Sequence, residues 1–533
     1  MPHRITARPA RAETAPGAKD AASVALAAET LAEVPSRVDH DPAVVSAFLS
    51  DAAHVPGGYA AGVTFPRHEA EVAAAVAGAA GVLVVGAQSS LTGGATPRGE
   101  VVLSTRALTA IGTPSGGLVT AGAGVPLVAL QRALTSAQLY YPPVPTYDGA
   151  FVGGTIATNA AGAATFKYGS TRPWVAAITV VLANGDVLDI TRGETLAGPE
   201  GFEIALSTGA VRHVPIPTYQ MPRVAKLSAG YFARPGMDLI DLFVGSEGTL
   251  GVVVRATLRV IPRPRRCLAL VRCSGDRQAV AVTAALRAEA HLAWDGGGAL
   301  DVAAIEYIDP LALRVVPDEA FTRAGVARPP DGSVLLLLQI EIAHDEGSAL
   351  ERLGTVLAAN GVDDDPCVTR ADDDRGAQRL LDLREAVPAS VNAIVAAAKA
   401  RVHPGIQKTA GDMVVPFDRL ADSIALYRRA FEQRGLEYAI WGHVSDGNLH
   451  PNVVPRTIED VQRGQDAIQD IARAVTAMGG APLAEHGVGR SALKQQLLRE
   501  VYGEDGIEQM RAVKRALDPT WKLAPGVLFS RDP

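Results

Sequence analysis

The chain is expected to be an α+β protein of two units closed by a C-terminal helical segment, and three observations predict this. Its 533 residues exceed what one hydrophobic core serves well. Between about 35 and 265, short β-branched runs alternate with Gly-rich turns and helical stretches. Past the cluster Pro262-Arg263-Pro264-Arg265-Arg266 a new strand–helix–strand–helix cycle begins, which reads as a domain boundary.

Residues 1–34 are expected to form a mobile tail, because the first 22 are Ala-, Pro- and Arg-rich without periodicity. Arg4, Arg8 and Arg11 are followed by no apolar core, so no secretory signal is expected. The first unit, 35–265, contains a helix near Glu69–Ala79 and strands at Val82–Val85, Ala177–Leu182 and Val252–Val254. The uncharged stretch Val72–Ala87 is too short for a membrane span and is broken by Gly78 and Gly81, so it reads as a helix end running into a buried strand. The second unit, 266–505, should place strands at Leu268–Cys273 and Val334–Ile342 with helices at Arg277–Leu292 and Glu346–Asn360, a two-layer sandwich capping the first unit. A long linker is expected from Ala396 to Gly411. Residues 506–533 form a helical segment through Leu517 that packs back on the first unit.

Composition narrows the function. Apolar residues make up 48% and charged residues 20%, as in a globular protein rather than a disordered chain. Net charge is −7, no long basic block occurs and aromatics are 5%, so neither an electrostatic nor a stacking footprint for nucleic acid is expected. Cys267, Cys273 and Cys367 have no metal-type spacing and read as free thiols, which with the absence of a signal or membrane segment points to a cytoplasmic protein.

Two glycine-rich loops stand out in the first unit. Gly86-Ala87-Gln88-Ser89-Ser90-Leu91-Thr92-Gly93-Gly94-Ala95 follows the strand 82–85, and Gly153-Gly154-Thr155-Ile156-Ala157-Thr158-Asn159 follows later. Small residues after a buried strand let several backbone N–H groups converge on a diphosphate. No G-x-G-x-x-G opens a helix here, so from the residues alone a structural turn explains the first loop as well as a phosphate cradle does.

The ordered set of Gly86–Ala95, Val152–Gly162 with Lys167-Tyr168-Gly169, and Phe243-Val244-Gly245-Ser246-Glu247-Gly248-Thr249-Leu250-Gly251 resembles the FAD domain of the vanillyl-alcohol oxidase/para-cresol methylhydroxylase superfamily. The resemblance spans about residues 40–265 and implies a two-subdomain, PCMH-type FAD-binding domain. It implies cofactor contacts from Gly86, Ala87, Gln88, Ser89, Ser90, Leu91 and Thr92 at the diphosphate, and from Gly153, Gly154, Thr158, Asn159 and Gly162 along the diphosphate and isoalloxazine. Glu247, Gly251 and Val252 fall near the adenosine end. Where some members attach FAD through a His, this loop carries Gln88-Ser89-Ser90, so non-covalent FAD is expected; Ala161 replaces a usual glycine.

In the second unit, Gly442-His443-Val444-Ser445-Asp446-Gly447-Asn448-Leu449-His450 and Ala484-Glu485-His486-Gly487-Val488-Gly489 concentrate imidazoles and a carboxylate, a donor set suited to Zn²⁺, Mn²⁺ or a similar cation. Polar turn residues would account for any one of them singly. Together the strings resemble the FAD-linked D-2-hydroxyacid dehydrogenases, with D-lactate, D-2-hydroxyglutarate and glycolate-oxidising members. That resemblance implies His443, His450 and Glu485 as metal ligands, His486 as general base, and Asn452, Arg384 and Lys408 as substrate contacts. Arg384 and Lys408 read equally as solvated surface charges on the residues alone. Ala524, in Leu523-Ala524-Pro525-Gly526, stands where relatives carry an Asn.

The expected activity is FAD-dependent oxidation of a D-2-hydroxy acid to the 2-oxo acid, with the acid as small-molecule partner, an electron acceptor that the sequence does not name, and homodimerisation left open. The alternatives are an alkyl-glycerone-phosphate-synthase-like or phenol-oxidising flavoenzyme, or a flavin-binding subunit of a larger complex. The synthases are expected to carry His-His-Gly where Glu485-His486-Gly487 stands here.

Overall fold

A computed structural model describes residues 2–10 and 37–531. Apolar β-branched runs set its framework. Val82–Val85 and Gly62–Thr64 flank Val101–Ser104 in parallel, and Val38–Asp39 completes a four-stranded sheet. A seven-stranded sheet follows the order Val211–Val214, Phe202–Ala205, Arg4–Pro9, Val187–Thr191, Val175–Val181, Val252–Arg259 and Leu118–Gly122. The class is α+β, as the alternation of strand and helix patterns predicts.

The amino terminus corrects the expected tail. Arg4–Pro9 is an inner strand, parallel to Val187–Thr191 and antiparallel to Phe202–Ala205. Ile5 is buried, Arg4 pairs with Asp189 and Glu69, and Arg8 Nε lies 2.6 Å from Glu203 Oε2. Composition hid this strand because its backbone ladder, rather than an apolar run, holds it in place. The rest of the expected tail, 11–34, lies outside the described residues.

The second unit is built on an eight-stranded, antiparallel sheet with Arg266–Cys273, Val334–Glu341, Asp301–Ile308, Tyr438–His443 and Asn448–Val453 as neighbours in that order. It has three layers rather than two. Leu268, Leu270, Leu335 and Leu337 pack under the helices Pro310–Val315, Asp318–Ala324 and Asp374–Arg401. Ala269, Val271, Leu336 and Leu338 face the opposite core with the helices Asp276–Trp294 and Glu346–Ala359. The unbroken run Val334-Leu-Leu-Leu-Leu338 is the signature of a strand buried on both faces.

The layer that the sequence reading lacked is the helix Asp374–Arg401, which also takes up the first part of the expected 396–411 linker. Its Val387, Val391, Val395 and Ala398 are buried at helical spacing, and Ala396–Ala398 are good helix formers. The last helix, Ala492–Leu517, breaks at Gly503. Beyond it, Leu523 pairs with Val82, and buried Lys514 donates to Thr249 O at 2.6 Å, so the C-terminal segment sits against the first unit. Among the described residues no helix is long and apolar enough to cross a membrane.

Candidate active site

Tyr438–His443 and Asn448–Val453 form a hairpin around the turn Val444–Asp446. Trp441 pairs with His450 and His443 with Asn448, so the two imidazoles are diagonal neighbours with ring centroids 5.6 Å apart. The Glu485–Gly489 loop comes over this hairpin from the far end of the chain. His443 Nε2 lies 3.1 Å from Glu485 Oε1, and one donor atom each from His443, His450 and Glu485 falls within 4.8 Å of the others. Donors at about 2.0–2.2 Å around a tetrahedral or octahedral cation are roughly 3–3.6 Å apart, so this set of two imidazoles and a carboxylate could close on a divalent metal.

Each donor is held from behind. Glu306, in the strand Asp301–Ile308, accepts from His443 Nδ1, which leaves Nε2 available to a metal, the arrangement that orients imidazoles where they do bind one. Arg384 Nε in turn donates to Glu306 Oε2 at 2.8 Å. Burial works to lower the His443 pKa, but Glu306, aided by Glu485 against the opposing charge of Lys226, outweighs it and raises the value to about 9. Burial lowers His450 to about 3, and its Nδ1, 3.5 Å from Asp412 Oδ1, has no hydrogen-bond partner among the described residues. Burial pushes Glu485 upward, yet Lys226 and His443 hold it well below the usual carboxylate range.

The sequence reading missed four side chains here. Lys226, fully buried, sets Nζ 2.5 Å from Glu485 Oε1 and 2.9 Å from Asp446 Oδ2. Glu306 belongs to an otherwise apolar strand. Asp412 Oδ2 accepts the backbone N–H groups of Glu485 and His486 at 2.9 and 3.0 Å, and faces His486 Nδ1 at 2.9 Å. Lys494 lies 4.0 Å from Asp412 Oδ2. None sits in a Gly- or His-rich string, so no local pattern exposes them; a buried charge in an apolar context is the one available signal.

The expected substrate residues come to the same place in different states. Asn452 is buried, donates to His450 O at 2.7 Å and keeps an unpartnered Oδ1. Arg384 is already paired with Glu306 and, through Nη1, with Glu385 at 2.8 Å; Nη2 makes no hydrogen bond among the described residues. Lys408 reaches solvent, stands 5.8 Å from the Trp441 ring centroid and has no carboxylate partner; surrounding protein and the charge of Lys494 lower its pKa. His486 keeps 30% of its side chain exposed.

In the first glycine loop, the backbone amides of Ala87, Gln88, Ser89, Ser90 and Leu91 donate to no acceptor among the described residues. Such a run of free amides, with Gln88 in the left-handed region at φ 56°, fits a diphosphate. The Gln88 side chain itself anchors the loop to Ala47 O and Ser50 O, both at 2.9 Å. Thr92 is buried and its hydroxyl meets Ser90 Oγ at 3.1 Å. Gly154 faces open space, while Gly153 abuts Ala123 and Gly162 abuts Val144. Thr158 Oγ1 is spent on Gly154 O, and Asn159 bridges Arg172 N and Leu227 O.

The three residues expected at the adenosine end are packed against protein. Gly251 packs on Val180 and Val252 is core. Glu247 accepts backbone N–H groups on both carboxyl oxygens, Val488 on Oε1 at 2.7 Å and Gly489 on Oε2 at 2.8 Å.

Residues 60–191 match an FAD binding domain, and 281–528 match the C-terminal domain of FAD linked oxidases. The chain is 30% identical to a probable mitochondrial D-lactate dehydrogenase of Danio rerio, covering 76% of this chain and 70% of that protein. It is 28% identical to glycolate oxidase subunit GlcD of Bacillus subtilis, over 77% and 74% of the two chains. It is 27% identical to D-lactate dehydrogenase of Archaeoglobus fulgidus, over 84% and 85%. A solved alkyldihydroxyacetonephosphate synthase shares the fold at a TM-score of 0.56 and 14% identity, covering 87% of this chain and 75% of that one.

Proposed function

Because the chain belongs to the D-2-hydroxyacid branch of the FAD-linked oxidases, we propose that it oxidises a D-2-hydroxy acid to the 2-oxo acid, with His443, His450 and Glu485 holding a divalent cation and His486 acting as general base. The observation that carries this reading is the convergence of His443, His450 and Glu485 from two distant segments, with His486 next to them. When bound, FAD supplies the hydride acceptor and a zinc- or manganese-type cation supplies Lewis acidity toward an alcohol oxygen.

The chain's own groups do the rest. His486 keeps its Nδ1 on Asp412, so Nε2 is the nitrogen left to take the hydroxyl proton. Arg384 Nη2 and Lys408 Nζ, neither bonded to a carboxylate, supply charge-assisted donors for the substrate carboxylate. Asn452 Oδ1 offers a buried acceptor beside His450. Fixing the carboxylate and hydroxyl together orients the Cα–H, which contributes several kcal/mol of the barrier, about the scale of other positioning effects. FAD is held without a covalent bond, since residues 86–95 contain neither His nor Cys.

The test is His486→Asn. The variant should retain FAD yet lose reduction of the flavin by a D-2-hydroxy acid under anaerobic conditions; unchanged reduction removes His486 from the mechanism.

A further inference from the structure

The Glu485–Gly489 loop is gripped by two buried carboxylates, one from each half of the chain. Asp412, 2% exposed, is contributed by the segment leading into the strand Met413–Val414 and accepts the N–H groups of Glu485 and His486 on one oxygen. Glu247, from the turn after the helix Leu239–Phe243 of the first half, accepts those of Val488 and Gly489. Four of the five loop amides therefore end on side-chain carboxyl groups.

The glycines of the loop record how close the grip is. A Cβ on Gly487 would lie 2.9 Å from Glu247 Oε1, and one on Gly489 would lie 2.2 Å from Thr92 Oγ1. Both residues also have positive φ, 73° and 57°. Arg490 N donates to Thr92 O at 3.0 Å, so the loop lies directly on the glycine-rich loop 86–95.

We propose that Asp412 and Glu247 are paired positioning residues that lock the Glu485–Gly489 loop between the flavin-binding half and the C-terminal half, fixing one place for His486. This rests on the reading of His486 as the base. Asp412 Oδ2 lies 2.9 Å from His486 Nδ1 as well as holding the backbone N–H groups of Glu485 and His486, so its charge stands beside the imidazole at the point where a base gains positive charge. Glu247 sets the far end of the loop against the part of the first half that carries Thr92, so a displacement of about 1 Å at His486 is resisted from both sides.

The experiment is anaerobic stopped-flow reduction by a D-2-hydroxy acid of the FAD-loaded enzyme, resolving the reduction rate constant from the substrate Kd. Asp412→Asn keeps the shape but not the charge, and should slow reduction by at least about a hundredfold with Kd within about threefold. Glu247→Gln can accept only one of its two amides and should slow reduction about tenfold, again without moving Kd. Because both residues hold one loop, the double variant should lose less than the product of the two effects. Reduction at the parent rate in either single variant overturns the proposal, as does a double variant whose effects simply multiply.

Failure of the base assignment is seen separately, as a His486→Asn variant that still reduces its flavin. If a carboxylate variant does not fold, hydrogen exchange of the 484–490 segment in the parent holoenzyme decides: strong protection is expected, and exchange at the rate of an open loop overturns the proposal.

Discussion

Lys226 and Glu485 stand 259 residues apart in sequence and meet with Nζ 2.5 Å from Oε1, both side chains almost wholly out of solvent. The same ammonium reaches Asp446, so one lysine from the first half compensates two carboxylates of the second. An ion buried this deeply is tolerated only when paired.

Replacing Lys226 by Met should remove the buried ammonium that pairs with both Glu485 and Asp446. The expected cost is about 3–5 kcal/mol of unfolding free energy, the range for removing one partner of a buried ion pair. Denaturant unfolding with and without a divalent cation checks this: added cation should recover part of the loss, since it brings positive charge to Glu485. An unaltered midpoint would mean that Lys226 is not compensating those charges.

Acidity at His443 predicts a pH dependence of metal uptake. With burial opposing and Glu306 prevailing, its pKa is raised to about 9 from an ordinary 6.5, so below that pH a metal must displace a proton. Apparent affinity should rise by about tenfold per pH unit as pH approaches 9 and flatten above it. The metal-free fold behaves in the opposite sense: the stability contributed by protonated His443 is fully present below about 6.5 and is lost as pH rises through 9. Titration of chelated protein with Zn²⁺ or Mn²⁺ across this window, beside its thermal midpoint, reads both trends.

Arg384 links the expected substrate site to the donors through Glu306. Measured above pH 9, where His443 is unprotonated with or without Glu306, Glu306→Gln should therefore lower metal affinity about 10–100-fold while the FAD content stays near that of the parent, because the change frees the ring orientation of His443 without touching the glycine loops. Metal analysis after dialysis measures the first and flavin absorbance the second.

Denaturation provides a direct reading of how FAD is held. All flavin should appear in the supernatant when the protein is precipitated with acid, because residues 86–95 provide no His or Cys for attachment. Flavin that stays with the pellet would require a covalent link from another segment.

The parts of this protein legible in the sequence are those in which one short string holds the whole signal. The strand Val82–Val85 runs into the loop at Gly86, and His443 and His450 lie on one hairpin. Illegible were features made by distant segments. Arg4–Pro9 has no apolar run and becomes a strand only because two others offer it a ladder. Lys226, Glu306 and Asp412 are ordinary charges in sequence, and acquire meaning only when folding buries them beside Glu485, His443 and His486. Glu247 sits in a recognisable glycine motif, but that its carboxyl group holds the amides of Val488 and Gly489 is written in no string.

The central claim, oxidation of a D-2-hydroxy acid by flavin in this chain, is tested most directly by anaerobic mixing of the FAD- and metal-loaded protein with matched D- and L-2-hydroxy acids, following flavin absorbance. Bleaching by one or more D-acids at a rate that saturates with concentration, with the L-acids slower by about two orders of magnitude or more and the bleaching lost on chelation, is the result predicted. An oxidised flavin spectrum that persists with every D-acid, or bleaching indifferent to both configuration and metal, would contradict it.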